Sequence, residues 1–271
     1  MQYVIIGNST AAVGAVEAIR RNDKEGSIVI ISNESHHVYS RPLISYLLLG
    51  KTDEHRMKYR GDNFYRDNKC ELMLNKTAVR IEPEKKQVIL DDGTSVSYDK
   101  LLVCTGSSPF VPPMPGLDEV KNKFTFYTLD DARALDNVLK ENMKVLIVGA
   151  GLIGLKCAEG ISKKNVEITC VDLAPKVLSS ILDEESSAIV KGHLEEHNIK
   201  FYLKQQIAKF EGNIAYLSDN TEIEFDVLVL AVGVRPNISL IKDIGGKTNR
   251  GIIIDERCRT SIPDIYAAGD C

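Results

Sequence analysis

Lys144-Val145-Leu146-Ile147-Val148-Gly149-Ala150-Gly151-Leu152-Ile153-Gly154 joins an apolar run to a glycine turn and then to a helix. The run is rich in branched side chains and reads as a buried strand. The helix continues to about Lys163, with Cys157 on its apolar side. The next strand ends at Val171-Asp172, 23 residues after Gly149. A pyrophosphate needs positive potential and close backbone approach. Unpaired N–H groups at a helix N-terminus supply the first, and side-chain-free positions allow the second. In a GxGxxG pattern the three small residues make the tight turn, admit the pyrophosphate and let helix pack on strand. Gly149, Gly151 and Gly154 fill all three places. Asp172 stands where an acid accepts the adenosine ribose hydroxyls and repels a 2′-phosphate, which favours NADH over NADPH.

Working outward, the chain repeats this order of parts. Gln2 to Gly7 reads as a strand, about Thr10 to Arg21 as a helix with Ala12, Val13, Val16 and Ile19 at helical spacing, and Ser27 to Ser32 as a second strand. The loop between them, Gly7-Asn8-Ser9-Thr10-Ala11-Ala12, keeps only the turn glycine, with Ser9 and Ala12 as small substitutes. Glu34 follows the second strand, as Asp172 does in the other unit. After a polar stretch with a short helix expected around Pro42 to Leu49, the segment Lys69 to Val103 alternates like a β-meander and ends on a strand at Lys100 to Cys104. Thr105 to Pro109 reads as a linker, and Gly233-Val234-Arg235-Pro236-Asn237 as the return linker. In the second half, helices are expected near Leu129 to Lys140 and Glu184 to His197. Strands are expected at Asp226 to Val232, Gly251 to Asp255 and Asp264 to Ala268.

Composition narrows the function classes. The 271 residues are 44% hydrophobic and 27% charged with a net charge of −4, which suits a two-domain globular protein and argues against nucleic acid or anionic membrane as partner. No signal peptide or bilayer-length apolar run is seen, so a soluble, cytoplasmic protein is expected. The six cysteines form no CxxC pair and no metal-ligand spacing with the five histidines, and they read as structural thiols in a reducing compartment.

These motifs together resemble the pyridine nucleotide–disulfide oxidoreductase superfamily over essentially the whole chain. The likeness is nearest to NADH-dependent rubredoxin and ferredoxin reductases and to the flavin-binding part of nitrite reductases. Its carriers are Gly7 to Ala12, Tyr39-Ser40-Arg41-Pro42-Leu43, Thr105-Gly106, Gly149 to Gly154, Gly233 to Asn237 and Ala267-Ala268-Gly269-Asp270. The resemblance implies an α/β fold of two Rossmann-like three-layer (ββα) dinucleotide-binding domains. The FAD domain would comprise residues 1–108 and 236–271, and the inserted NAD(P) domain 109–235. It further implies FAD in the first fingerprint and NADH in the second. Flavin contacts would come from the Gly7 to Ala12 loop, Glu34 (ribose), Arg41 (phosphates), Lys51 (near flavin N5), Val79 (adenine, through backbone), Thr105, Gly106 and Asp270 (ribityl chain). NADH contacts would come from Gly149, Gly151, Leu152, Ile153, Gly154, Asp172 and Gly233.

Three departures shape the functional expectation. Pro42 stands where the thiol-using relatives carry a redox cysteine, so thiol chemistry at the flavin is not expected. Lys156 replaces a glutamate that pairs with the flavin-side lysine, and Glu159 is a candidate substitute. The chain stops at Cys271, where relatives continue into a helix and a C-terminal interface domain, so it is expected to be a truncated chain or a subunit whose remaining parts lie on another chain, with a possible homodimer through that absent region. The expected activity is hydride transfer from NADH to FAD, with onward delivery to a rubredoxin, a ferredoxin or an iron–sulfur or sirohaem centre of a nitrite reductase, and no side chain as acid or base. The rivals are an NADH oxidase that reduces oxygen and a flavin-binding, NADH-responsive interaction module.

Overall fold

The computed structural model describes all 271 residues. The chain opens with β1 (Gln2–Ile6), α1 (Thr10–Asn22) and β2 (Ser27–Ser32), followed by α2 (Ile44–Leu48), α3 (Phe64–Asp67) and β3 (Cys70–Leu74). Next come β4 (Ala78–Glu82), β5 (Gln87–Leu90), β6 (Ser95–Ser97), β7 (Lys100–Val103) and β8 (Ser107–Pro109). The middle of the chain forms β9 (Lys123–Thr125), α4 (Leu129–Val138), β10 (Lys144–Val148), α5 (Leu152–Ile161), β11 (Glu167–Asp172), α6 (Glu184–Glu196) and β12 (Ile199–Leu203). It continues through β13 (Ile207–Glu211), β14 (Ile214–Leu217), β15 (Glu222–Glu224) and β16 (Val227–Leu230), and closes with β17 (Val234–Pro236), α7 (Ser239–Lys242) and β18 (Ile265–Ala267).

Two compact units result. One comprises residues 1–40, 58–108 and 235–271, the other residues 41–57 and 109–234. In the first unit a five-stranded sheet runs in the order β18-β7-β1-β2-β3, with every neighbouring pair parallel. Successive side chains on a strand point to opposite faces, and β1 and β2 use both. Ile5, Ile28 and Ile30 meet Ala12, Val13 and Val16 of α1. Val4, Ile6, Val29 and Ile31 meet Ile81, Val88 and Leu90 of the β4-β5-β6 meander. That makes three layers, ββα, and explains why these strands read as unbroken apolar runs. A side chain such as Ile5 or Ile30, fully enclosed, contributes about 1.5–3 kcal/mol.

The second unit is built the same way. Its sheet order is β12-β11-β10-β16-β9, again all parallel. Leu146, Val148, Leu228 and Leu230 on one face pack on Ile207, Phe210, Leu217 and Ile223 of the β13-β14-β15 meander. Cys157, Ala158 and Ile161 are the buried side of α5. No helix is long and apolar enough to cross a membrane.

Some details differ from the sequence reading. The helix expected at Leu129 to Lys140 stops at Val138. Ser107–Pro109, read as plain linker, is a short strand paired with Val234–Pro236. Gly251 to Asp255 does not form a strand: it contributes one isolated bridge, Thr248 to Ile252, and leaves Ile253 and Ile254 exposed. Its backbone N–H groups bond to scattered carbonyls instead of one ladder, Ile252 to Cys271 and Ile253 to Lys247.

Candidate functional site

The glycine turn of the second unit sits where β10, the middle strand, gives way to α5. Gly149 adopts φ +113°, and its N–H donates to the Val171 carbonyl at 2.8 Å. A Cβ there would lie 2.3 Å from the Ala231 carbonyl oxygen, so only glycine fits. A Cβ on Gly154 would lie 1.9 Å from the Gly149 carbonyl oxygen, which is the close helix-to-strand approach the pattern demands. Gly151 is different: it caps the N-terminus of α5, and a Cβ there would meet nothing within 4 Å. The space beside it is therefore open rather than filled by protein. No side chain caps the first turn of α5, so its N–H groups face the groove and can hold an anion.

Asp172 closes the other end of this groove. Its carboxylate accepts the Ala150 N–H at 2.5 Å and the Ala174 N–H at 2.8 Å. Those bonds fix its orientation and leave lone pairs for hydroxyl donors. Gly149, Gly151, Leu152, Ile153, Asp172 and Gly233 all line one groove of about 680 Å³. Leu152 is 57% exposed, an apolar side chain spread over the entrance.

The turn in the first unit has the same backbone and different filling. Gly7 adopts φ +114°, its N–H donates to the Ile31 carbonyl at 2.8 Å, and a Cβ would lie 2.1 Å from the Cys104 carbonyl oxygen. Asn8 is held by its side chain: Nδ2 donates to the His36 carbonyl at 3.3 Å, and Oδ1 accepts the Tyr65 hydroxyl at 2.8 Å. Tyr65 in turn accepts the Val38 N–H at 3.0 Å. Ser9 caps α1 in extended conformation without a side-chain bond, Thr10 and Ala11 begin the helix, and Ala12 is buried against the sheet. Glu34 accepts the Tyr39 hydroxyl at 2.6 Å and anchors its own N–H on Ser32 Oγ at 3.2 Å.

Gly7 and Thr105 line one cavity of about 230 Å³ together with Ser32, Lys76, Ala78 and Asn237. Val79 lies beside it, exposed, at a bulge where the β4–β5 pairing passes from Ala78 to Arg80. The ladder skips Val79, and its backbone is left to face solvent or ligand. Thr105 and Gly106 are locked by Asn237: Thr105 Oγ1 donates to the Asn237 carbonyl at 2.8 Å, Asn237 Nδ2 to the Thr105 carbonyl at 2.9 Å, and Asn237 N–H to the Gly106 carbonyl at 2.9 Å. Asp270 is exposed just beyond β18. Tyr65 and Lys76 are members of this region that sequence reasoning missed, since both sit in polar stretches without periodicity.

Arg41 and Lys51 group with the second unit, in segment 41–57. The Arg41 guanidinium lies 5.1 Å from the Tyr127 ring centroid and donates to the Tyr127 carbonyl at 3.5 Å. Lys51 and Lys156 lie over the same ring, Tyr46, at 5.6 and 4.3 Å. Glu159 forms its ion pair with Lys156, one helical turn away.

No disulfide is present. Burial pushes the Cys104 and Cys170 thiols up to about 12, and the Cys157 thiol beyond the usual range. Such thiols are poor nucleophiles.

Two glycine turns, each at the C-terminal end of a parallel sheet's middle strand, define a protein with two dinucleotide-type sites. The model of the pyridine nucleotide-disulphide oxidoreductase family matches residues 1–271, and the chain belongs to that family. Its members bind FAD and NAD(H). The chain is 34% identical to the nitrite reductase [NAD(P)H] of Bacillus subtilis (strain 168), an alignment that covers all of this chain and 34% of that protein. It is 29% identical to the rubredoxin-NAD(+) reductase of Pseudomonas putida, covering all of this chain and 72% of the other. The reductase in the solved covalent putidaredoxin reductase–putidaredoxin complex superposes with a TM-score of 0.93 at 27% identity, over all of this chain and 67% of that one. The chain thus spans about a third of the nitrite reductase's length.

Proposed function

We propose that this chain binds FAD in the unit carrying Gly7 and NADH in the unit carrying Gly149, and serves as an electron relay. When bound, FAD would take a hydride from NADH and release the electrons to an acceptor. The acceptor is a rubredoxin, a ferredoxin or an iron–sulfur or sirohaem centre, consistent with the nature of the relatives. The observation that carries this reading is the duplicated arrangement itself: two parallel sheets, each with a positive-φ glycine turn and an acid at or just beyond the end of the neighbouring strand.

The chain's own residues have positional tasks. The open face at Gly151 and the free N-terminus of α5 receive the NADH pyrophosphate, and Asp172 holds the adenosine ribose. In the other unit the Gly7 to Ala12 loop receives the FAD pyrophosphate. Glu34 holds its ribose, the bulge at Val79 presents backbone to the adenine, and Asp270 meets the ribityl hydroxyls. Thr105 and Gly106 give a fixed edge through Asn237. Pro42 in place of a cysteine, together with high-pKa buried thiols, favours an acceptor outside the chain over an internal disulfide.

Anaerobic titration of the FAD-loaded chain with NADH tests this. Bleaching of the flavin band at one equivalent of NADH, followed by recovery on adding rubredoxin or ferredoxin, is expected. A chain that stays colourless with FAD, or a flavin band that NADH leaves unchanged, would refute it. Recovery with oxygen alone would move the assignment to an oxidase.

A further inference from the structure

We propose that Lys156 makes the nicotinamide end of the second groove favour the neutral, reduced ring over its cationic, oxidised form. The inference rests on the reading that this unit takes NAD(H). Sheet order gives the direction in which the dinucleotide lies. Moving along β11, β10, β16 and β9, the strand C-terminal ends present Asp172, then Gly149, then Ala231 to Gly233, then Phe126-Tyr127. A ribose at Asp172 and a pyrophosphate at Gly151 therefore send the second nucleoside toward Phe126 and Tyr127.

A cavity of about 350 Å³ lies there. It shares Leu152 and Ile153 with the main groove, and Phe126, Tyr127, Lys156 and Arg41 also line it, so the Arg41 guanidinium adds a second positive charge that Lys156 variants leave in place. Tyr127 is held firmly, because the Asp131 carboxylate accepts its N–H at 2.9 Å within the capping box of α4. The walls are mainly apolar and suit a flat ring. The ammonium of Lys156 is fixed from two sides, by the Tyr46 ring at 4.3 Å and by Glu159. Glu159 does not line the cavity, whereas Lys156 does.

An ammonium beside an apolar wall acts through a lower effective dielectric than one in bulk water. It repels a pyridinium and is indifferent to the neutral dihydro ring. Binding thus weakens on the product side, and the oxidised coenzyme is expelled. A glutamate at this position would do the opposite.

The test is calorimetric titration of the oxidised, FAD-loaded chain with NAD⁺ and with tetrahydro-NAD, an unreactive neutral analogue of NADH. ADP-ribose, which lacks the ring, serves as control. The wild-type chain is expected to bind the neutral analogue roughly tenfold more tightly than NAD⁺. Lys156→Gln should shrink that ratio roughly threefold and Lys156→Glu roughly tenfold or more, while Glu159→Gln should widen it. ADP-ribose affinity should hold throughout. A ratio that is the same in wild type, Lys156→Gln and Lys156→Glu overturns the inference and leaves the NADH site standing. Failure of ADP-ribose to bind the wild-type chain overturns both.

Discussion

The Gly149 turn and the Gly7 turn trace the same backbone, yet they are built to different tolerances. Both glycines sit at φ values near +114° and both abut a carbonyl of the neighbouring strand. Five residues later the second unit has Gly154, which touches the turn's own carbonyl, whereas the first has Ala12, already carrying a Cβ in the buried layer. The first turn gains rigidity instead from side chains, through the Asn8–Tyr65–Val38 chain of hydrogen bonds. The difference teaches that the dinucleotide turn has one indispensable glycine, and that the other two places are satisfied by packing or by a polar brace.

The largest effect expected from this comparison is at Gly154. Gly154→Ala forces a Cβ to within 1.9 Å of a carbonyl oxygen, and should destabilise the second unit by about 3 kcal/mol or more. Ala12→Gly, the matching exchange in reverse, should cost only about 1 kcal/mol. Thermal unfolding of both variants checks this, and equal losses would break the comparison. Next is Asp172→Ala, which strips acceptors from two backbone N–H groups and the ribose. NADH binding should fall about tenfold or more with flavin content unchanged. Glu34→Ala should do the converse, lowering flavin retention and sparing ADP-ribose binding.

Thiol labelling sharpens the contrast further. Cys258 is exposed and should react with iodoacetamide at once, while Cys104, Cys157 and Cys170 should stay protected. In Gly154→Ala, Cys157 and Cys170 should become labelled well before Cys104. The smallest effect concerns pH. Lys100 and Lys86 hold the Asp264 carboxyl down to about 2 from its ordinary 3.8. A depressed acid contributes stability above its unfolded value and loses it as pH falls through the folded one, so this contribution fades between about pH 4 and pH 2. Asp264→Asn should flatten that part of the acid-unfolding curve.

Much of this was legible in the sequence because the middle strands are buried on both faces and therefore spell unbroken apolar runs. Val145 to Val148 and Ile28 to Ile31 are examples. Edge strands gave weaker signals. Cys70–Leu74 is only half-buried and Lys123–Thr125 is three residues long, so neither shows the pattern of a central strand. In the site, the glycines and Asp172 were readable because backbone geometry restricts the residue type. Tyr65 was not, since a hydrogen-bond partner brought in from a distant polar stretch leaves no periodicity behind.

The central claim is that one chain holds two different dinucleotides at once, one per turn. Equilibrium dialysis of the FAD-saturated chain with radiolabelled ADP-ribose addresses it most directly. One equivalent of FAD retained alongside one equivalent of ADP-ribose, with Gly149-turn variants losing only the latter, is the expected result. Displacement of FAD by ADP-ribose, or loss of both ligands when either turn is altered, would contradict it.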